Sequence, residues 1–203
     1  MPDSSETGGL RARRRDATRM EIHEAAVDLF ERNGFDETTV DEIATAAGVS
    51  PRTFFRYFPT KEECVLFDRF GFEQALDARL ADIDPDSLAL ADIESVYRAR
   101  LEGFDDRSDD VSAHFLRVQK LVLATPTLSR AALGRHADTC RRRPESLGDR
   151  SSARTKSQIR MILEIANLEV QCAFEEWVEL NETGQGPSLL DVYDDVCRRI
   201  REL

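Results

Sequence analysis

The stretch Thr39-Val-Asp-Glu-Ile-Ala-Thr-Ala-Ala-Gly-Val-Ser-Pro-Arg-Thr-Phe-Phe-Arg-Tyr-Phe-Pro-Thr-Lys61 decides the fold of this chain. It predicts two short helices joined by a tight turn. Thr39 and Glu42 have the spacing of a capping box, in which each side chain binds a backbone N–H group that the helix leaves free. Gly48 is expected to end the first helix, because glycine adopts a left-handed conformation at low steric cost.

The second helix has an aromatic face and a cationic face. Ser50 and Pro51 begin it, as an N-cap hydroxyl followed by proline at the first helical position. Phe54 and Phe58 are four residues apart, so they share a face that is expected to pack on the first helix. The remaining circumference carries Arg52, Thr53, Phe55, Arg56 and Tyr57. Arginine can bind guanine edges, and Ser, Thr, Tyr and Lys can bind phosphate, so this face suits the major groove of DNA.

This stretch and its flanks resemble the DNA-binding domain of the TetR family of transcriptional repressors. The resemblance is carried by Gly34-Phe35, Thr38-Thr39-Val40-Asp41-Glu42-Ile43-Ala44, Ala47-Gly48-Val49-Ser50 and Thr53-Phe54-Phe55-Arg56-Tyr57-Phe58-Pro59-Thr60-Lys61-Glu62-Glu63. It covers roughly the first third of the chain. It implies an all-α homodimer with a helix-turn-helix head and a larger body that binds an effector and dimerises.

The resemblance also implies roles for individual residues. Thr39 stands where the second helix of the family meets a phosphate through its N-terminus. The positions that face base edges are occupied by Arg52, Thr53 and Arg56. Those that hold the DNA backbone are occupied by Phe55, Tyr57 and Lys61. Phe55 replaces the more usual tyrosine, which leaves two alternatives open, an apolar contact with DNA or a place in the hydrophobic core.

The chain is acidic overall, with 28 Lys+Arg, 39 Asp+Glu and a net charge of −11. Residues 1–61 contain nine basic and eleven acidic side chains, so positive charge near the DNA-binding motif is local. Few phosphate contacts are expected, each contributing about −0.9 to the slope of log affinity against log salt. Residues 1–15, which include Arg14 and Arg15, are predicted to be a disordered arm that contacts the minor groove or phosphates. A solubilising tail is the alternative.

Apolar residues recur at helical spacing along the whole chain, which predicts an all-α fold of about nine helices. Residues 16–61 form the predicted helix-turn-helix domain, and residues 62–203 form the ligand-binding and dimerisation domain. One long helix is expected after Lys61. A later helix is expected to stop at Pro144, with a loop from there to Arg154.

The last two predicted helices are amphipathic and should form a hairpin. Such a hairpin can pair with its copy in a second chain as a four-helix bundle. The alternative is that the same faces only form the core. The predicted dimer residues are Ile162, Ala166, Val170, Ala173, Trp177, Val192, Tyr193, Val196 and Ile200.

An effector site is expected among the helices of the larger domain. Its aromatic candidates are Phe67, Phe70, Tyr97, Phe104, Phe115 and Phe174, and its polar candidates are His114, Arg117, Asn167 and Gln171. These residues favour a small apolar or aromatic effector. Packing of the domain interior is an equally good explanation for each of them.

The sequence as a whole favours a ligand-responsive, dimeric DNA-binding regulator, most often a repressor in the TetR family, that recognises a pseudo-palindromic operator. The alternative is a protein-interaction adaptor or small-molecule carrier on the same fold. No phosphate loop or nucleophile motif favours an enzyme. The four widely spaced cysteines and the lack of a long apolar run indicate a cytoplasmic protein without membrane contact.

No cofactor or metal is predicted. His136 and Cys140 are four residues apart on a predicted helix, as a pair of metal ligands can be. No acidic or cysteine partner clusters beside them in the sequence, so we expect them to be surface or packing residues.

Overall fold

A computed structural model describes residues 4–105, 109–182 and 186–203 of the chain, with side chains for residues 13–103, 110–182 and 186–203. These described residues form ten helices and no strand, which confirms the all-α class. The helices are α1 (Ser4–Asn33), α2 (Val40–Ala46), α3 (Pro51–Tyr57), α4 (Lys61–Val65), α5 (Phe72–Asp82), α6 (Leu90–Asp105), α7 (Asp109–Ala124), α8 (Pro126–Gly148), α9 (Lys156–Glu182) and α10 (Leu189–Arg201). The chain divides into two compact units, Met1–Arg69 and Phe70–Leu203.

The N-terminal unit is built on a core that α1 to α4 share. Ile22 and Phe30 of α1, Ile43 of α2 and Phe54 of α3 are each at most 2% exposed. Full burial of such a side chain stabilises a fold by roughly 1.5–3 kcal/mol. Helix α1 therefore supplies the support that the two short helices α2 and α3 lack on their own.

The helix starts in this unit are those that the sequence predicts. The Glu42 amide donates to Thr39 Oγ1 at 3.3 Å, and the Thr39 amide donates to Glu42 Oε2 at 2.8 Å, which completes the capping box. The Thr53 amide donates to Ser50 Oγ at 3.1 Å. Gly48 has a φ of 66°, a left-handed conformation that turns the chain between α2 and α3.

Two boundaries of the N-terminal unit differ from the prediction. Helix α1 begins at Ser4, so most of the segment expected to be a disordered arm is helical, in keeping with the helix-forming Leu, Ala and Arg residues before Asp16. The unit ends at Arg69 rather than Lys61, because α4 packs on α1. His23 Nδ1 of α1 lies 2.9 Å from the carbonyl oxygen of Cys64.

The single long helix expected after Lys61 is instead two helices. Helix α4 ends at Val65, and α5 begins at Phe72. Gly71 has a φ of 73°, which lies outside the right-handed helical range and separates the two helices.

The expected stop at Pro144 is also wrong, because α8 continues through this proline to Gly148. An internal proline removes one helical hydrogen bond and costs about 3 kcal/mol. Burial of Pro144 itself, with Cys140 and Leu147 on the same helix, offsets that loss. The predicted loop therefore starts after Gly148.

The C-terminal unit surrounds helix α9, which contacts α6, α7, α8 and α10. Ile159, Ala166 and Ala173 along α9 are fully buried. Helix α10 returns beside α9 and buries Val192, Tyr193 and Val196 against it and α6. Within the described parts of the chain, no helix is both long and apolar enough to cross a membrane.

Two carboxylates are enclosed in this core. Glu94 of α6 is 3% exposed, and Glu169 of α9 is fully buried. Oxygens of both carboxylates and the sulfur of Cys197 lie within 4.8 Å of one another. Arg201 pairs with Glu94 Oε2. Burial first, and the neighbouring charge of Glu94 second, raise the pKa of Glu169 from 4.5 to about 7.

Candidate nucleic-acid interface

Helix α3 is held in place from one side by its aromatic face. Phe54 is fully buried and Phe58 is 1% exposed, and their ring centroids are 6.0 Å apart. Helix α2 packs against α3. With this face fixed inside the unit, the other residues of α3 are directed outward.

The outward face of α3 carries two arginines and one phenylalanine. Arg52, Phe55 and Arg56 are exposed, whereas Thr53 and Tyr57 are half-buried. The Arg56 guanidinium carbon lies 5.2 Å from the centroid of the Tyr57 ring, a cation–π contact that orients the side chain. Among the described residues, no acidic side chain pairs with Arg52 or Arg56. Their N–H donors are therefore available to a ligand.

Phe55 belongs to this surface and not to the core. Its side chain is 54% exposed, and its ring meets Phe54 edge to face at a centroid distance of 5.5 Å. Of the two alternatives that the sequence left open, the core position is excluded. An exposed phenyl ring beside two arginines can contact a thymine methyl or sugar carbons.

Lys61 occupies a structural position that differs from its expected role at the DNA backbone. Its Nζ donates to the carbonyl oxygens of Phe35 at 2.6 Å and Thr38 at 3.2 Å. The same ammonium lies 4.2 Å from the centroid of the Phe35 ring. Lys61 thus closes the turn between α1 and α2, and its donors already have acceptors within the chain.

Thr39 is exposed at the start of α2, as a phosphate contact requires, but its donors are occupied. Its amide and its hydroxyl both donate to Glu42 Oε2 at 2.8 Å. These hydrogen bonds, from the backbone first and the hydroxyl second, lower the pKa of Glu42. A negative charge therefore already sits at this helix start, where a phosphate would compete with it.

Arg14 and Arg15 are exposed on α1, next to the equally exposed Arg13. Thr18 Oγ1 donates to the Arg14 carbonyl, one helical turn earlier in α1, at 3.1 Å. The two predicted contact residues therefore stand on a helix and not on an extended arm.

Arg19 has a role that sequence reasoning missed. Its guanidinium carbon lies 4.7 Å from the centroid of the Phe67 ring and 5.2 Å from that of Phe58. Arg19 therefore packs α1 onto the segment that follows α3. Arg19, His23 and Phe30 share one face of α1, so the spacing of four and seven residues was the available signal.

The predicted effector residues do not all come together. Phe67 lies in the N-terminal unit, where its ring is 5.6 Å from that of Phe58. The prediction for Phe67 is corrected accordingly, since it supports the helix-turn-helix. The side chain of Phe104 lies outside the described residues.

Four of the aromatic candidates do form one cluster in the C-terminal unit. The ring centroid of Phe115 is 5.1 Å from Phe70 and 5.1 Å from Phe174, with both pairs edge to face. Phe72 joins Tyr97 to the cluster at 6.3 Å. Phe115 and Tyr97 are buried, whereas Phe70 and Phe174 are half-buried and so form the accessible side of the cluster.

The polar candidates divide between two helices of the same unit. His114 is buried and Arg117 is half-buried on α7. Asn167 and Gln171 are half-buried and four residues apart on α9, with Phe174 one turn further on the same face.

The predicted dimer residues are mostly interior to a single chain, which corrects that prediction. Those buried without any second copy are Ala166, Val170, Ala173, Trp177, Val192, Tyr193 and Val196, and those half-buried are Ile162 and Ile200. The periodicity identified an apolar face correctly, but that face packs on α6 and α10 of its own chain.

A second apolar row on α9 faces outward. Met161 is 60% exposed, Ile165 is 38% exposed and Leu168 is 50% exposed. Steps of four and three residues place them on one side of the helix. We call these three residues the α9 outer row.

The fold and the surface of α3 define a helix-turn-helix protein, and comparison with known proteins gives its family. Residues 22–66 match the family described as bacterial regulatory proteins, tetR family. TcmR, an HTH-type transcriptional regulator of Streptomyces glaucescens, is 34% identical over 128 residues, which cover 59% of this chain and 54% of TcmR. MftR of Mycobacterium tuberculosis, a regulator named for mycofactocin biosynthesis, is 30% identical over 137 residues, 68% of this chain and 65% of MftR.

This chain belongs to the TetR family of transcriptional regulators. RutR of Escherichia coli K12, also an HTH-type transcriptional regulator, is 36% identical over 99 residues, 47% of this chain and 45% of RutR. The chain therefore matches between about half and two thirds of the length of these relatives. The similarity identifies the family.

Solved structures with a similar helical arrangement include FadR of Thermus thermophilus, a TetR-family repressor in complex with lauroyl-CoA. It has a TM-score of 0.46 and 23% identity over 89% of this chain and 91% of FadR. A TetR-like regulator from Rhodococcus sp. RHA1 has a TM-score of 0.44 and 23% identity over 90% of this chain and 94% of that one. Likeness at this level carries no conclusion about a ligand.

Proposed function

We propose that this protein is a dimeric transcriptional regulator whose helix α3 reads an operator in the major groove. One observation carries the proposal: Arg52, Phe55 and Arg56 form an exposed row on a helix whose opposite face is buried. Arginine forms bidentate hydrogen bonds with guanine, and a good bidentate pair contributes about 1–3 kcal/mol of discrimination between bases. A helix fixed by its aromatic face holds these groups in a defined orientation, which selective reading requires.

The distribution of charge affects sequence-specific and non-specific DNA binding differently. Residues 1–61 have more acidic than basic side chains, so non-specific attraction to phosphates is weak. The donors of Lys61 and Thr39 already have partners, which reduces the number of phosphate contacts further. Specificity in this protein therefore depends strongly on the two arginines of α3.

The acidic balance is also the observation that favours the alternative function, an adaptor that has kept the fold without operator binding. The two functions predict different behaviour toward DNA. An adaptor binds no DNA even at low salt, whereas the regulator binds DNA from its own upstream region with sequence preference.

Fluorescence anisotropy with a labelled duplex from that upstream region tests the proposal. Arg56→Ala should weaken binding by about 1–3 kcal/mol, roughly 5- to 150-fold, because it removes a contact to a base edge. Arg141→Ala is the matched control, since Arg141 is an exposed arginine of the C-terminal unit, and it should bind as the wild type does. Equal affinity of Arg56→Ala and wild-type protein would refute the role given to α3.

A second copy of the chain is the partner that the family favours, and we propose the α9 outer row as part of the contact. Two recognition helices in a dimer reach successive major grooves about 34–36 Å apart, so the operator is a pseudo-palindrome. The outer row exposes three large apolar side chains on the helix that also forms the centre of the C-terminal unit. Burying them against a second copy removes that surface from water.

Regulation by an effector is the remaining part of the proposal. The aromatic cluster around Phe115 offers an apolar surface, and Asn167 and Gln171 offer hydrogen-bonding groups near Phe174 on α9. We propose that the protein is a repressor, and that a small apolar or aromatic molecule that prefers the state with low operator affinity releases it from the DNA. By linkage, the loss of operator affinity equals the preference of the effector for that state.

A further inference from the structure

The packing of α8 on α9 brings together three side chains that can each bind a metal ion. His136 and Cys140 lie one turn apart on α8, and Glu164 reaches them from α9. His136 Nε2 lies 3.1 Å from Cys140 Sγ and 3.1 Å from Glu164 Oε2. One ligand atom from each of the three residues lies within 4.8 Å of the others.

This arrangement overturns the reason for expecting no metal. In the sequence the pair has no cluster of acidic or cysteine partners, and Asp138 between them lies on the opposite face of a helix, so the pair looked incomplete. Glu164 is 28 residues from His136 along the chain and becomes its neighbour only when the helices pack. The third ligand is therefore a product of tertiary structure.

The spacing and the chemistry of the three groups suit zinc. Tetrahedral zinc binds nitrogen at roughly 2.0–2.1 Å, carboxylate oxygen at roughly 2.0–2.2 Å and sulfur at roughly 2.3 Å, which puts neighbouring ligand atoms about 3.3–3.6 Å apart. The separations of 3.1 Å around His136 Nε2 are close to that spacing, so the ligands need small shifts only. Nitrogen, sulfur and oxygen together form the mixed set that favours zinc over magnesium or calcium.

Solvent can reach the site and complete the coordination. The side chains of His136 and Glu164 are 21% and 38% exposed, whereas Cys140 is buried behind them. An ion can therefore enter from the surface and keep a water as fourth ligand, as zinc sites with three protein ligands do.

The surrounding charges are compatible with a divalent cation. A neutral imidazole, a thiolate and a carboxylate carry two negative charges, which a divalent ion neutralises. Arg160 lies 3.3 Å from Glu164 Oε1, and Arg143, which faces Cys140, is paired with Asp77 at 2.7 Å. These cations lower the affinity of the site for a metal ion, so we expect a competing chelator to remove the bound ion.

Binding must also displace a proton. Burial first, and the charge of Glu164 second, raise the pKa of the Cys140 thiol from 9.0 to about 12. The thiol is therefore protonated at neutral pH without metal, whereas a zinc ligand is a thiolate. Forming the S–Zn bond breaks the S–H bond and releases that proton to buffer.

We propose that His136, Cys140 and Glu164 form a binding site for zinc or a similar divalent transition-metal ion that links α8 to α9. The site is distinct from the α3 surface and does not depend on DNA binding. When occupied, it ties together two of the long helices of the C-terminal unit.

Titration with Co²⁺ tests the site, because tetrahedral cobalt bound to a thiolate absorbs light in a characteristic way. One equivalent of Co²⁺ should give thiolate-to-cobalt absorption in the wild type, and Zn²⁺ should bleach it. Cys140→Ser should abolish the absorption, and His136→Gln should weaken binding at least 10-fold, a typical loss when a metal site is disturbed. Cys172→Ser is the control, since Cys172 lies elsewhere on α9 and is half-buried, and it should behave as the wild type does.

Calorimetry in buffers of different ionisation enthalpy gives a second readout. Binding of Zn²⁺ should release about one proton at neutral pH in the wild type. Zn²⁺ should also raise the melting temperature of the wild type and leave that of Cys140→Ser unchanged. Circular dichroism establishes that each variant is folded. The proposal is overturned if the wild type shows no cobalt–thiolate absorption, or if the absorption persists in Cys140→Ser.

Discussion

The buried carboxylate of Glu169 makes the stability of the C-terminal unit depend on pH. In the folded chain its pKa is about 7, whereas its ordinary value is 4.5. The folded state therefore holds the proton more tightly than the unfolded state does. Stability is fully present below about pH 4.5 and is lost progressively as the pH rises through 7.

The size of this effect follows from the shift. A difference of 2.5 pKa units, from 4.5 to about 7, corresponds to about 3 kcal/mol at roughly 1.4 kcal/mol per unit. Glu169→Gln keeps the shape of the side chain but cannot ionise. At pH 8 the variant should be more stable than the wild type by up to about 3 kcal/mol, and at pH 4.5 the two should be nearly equal.

Urea unfolding followed by tryptophan fluorescence measures this difference. The chain has one tryptophan, and Trp177 is 5% exposed in the same unit as Glu169. Glu179→Gln is the control, an exposed glutamate of the same helix whose replacement should leave the pH dependence unchanged. If the stabilities of the wild type and Glu169→Gln change in parallel from pH 4.5 to pH 8, the reasoning about the buried pair is refuted.

Three further predictions concern the two phenylalanines of helix α3, Lys61 and the α9 outer row. Phe54→Ala should destabilise the protein by about 3–5 kcal/mol because it empties a buried site, whereas Phe55→Ala should change stability by less than about 0.5 kcal/mol and still weaken DNA binding. Thermal unfolding measures the stabilities and anisotropy measures DNA binding, and equal destabilisation by both variants would contradict the buried and exposed positions given to the two rings. Lys61→Met should lower the free energy of unfolding by about 1–3 kcal/mol in thermal unfolding, since the carbonyls of Phe35 and Thr38 lose their donor. It should leave the slope of log DNA affinity against log salt unchanged, and a shallower slope would show that Lys61 contacts the DNA backbone. Leu168→Glu should shift the dimer toward monomer in light scattering, whereas Glu175→Gln on the same helix should not, and an unaffected dimer would place the contact elsewhere.

Local sequence signals were sufficient for the elements of the helix-turn-helix. The capping box of Thr39 and Glu42, the Ser50 cap and the left-handed Gly48 all depend on residues close together in the sequence. The same holds for the burial of Phe54 and Phe58, whose spacing fixes a shared face. These features could be predicted because the helix period determines them without knowledge of the rest of the chain.

Contacts between distant segments could not be predicted in this way. Lys61 binds carbonyls 23 and 26 residues earlier in the chain, which no local pattern encodes. The periodicity of α9 identified Ala166 and Ala173 as residues of its apolar face. It could not show that α6 and α10 of the same chain cover this face. The partner of His136 is likewise determined by how α8 and α9 pack.

The ratio of affinities for operator DNA and for a shuffled duplex of the same composition, measured at one salt concentration, tests the central claim most directly. Specific binding by such proteins is typically 10³- to 10⁷-fold tighter than their non-specific binding. The wild type should show a ratio of about 10³ or more, and the double variant Arg52→Ala/Arg56→Ala should lose most of it while remaining folded. A double variant that keeps the full ratio, or a wild type with equal affinity for both duplexes, would contradict the reading of DNA by α3.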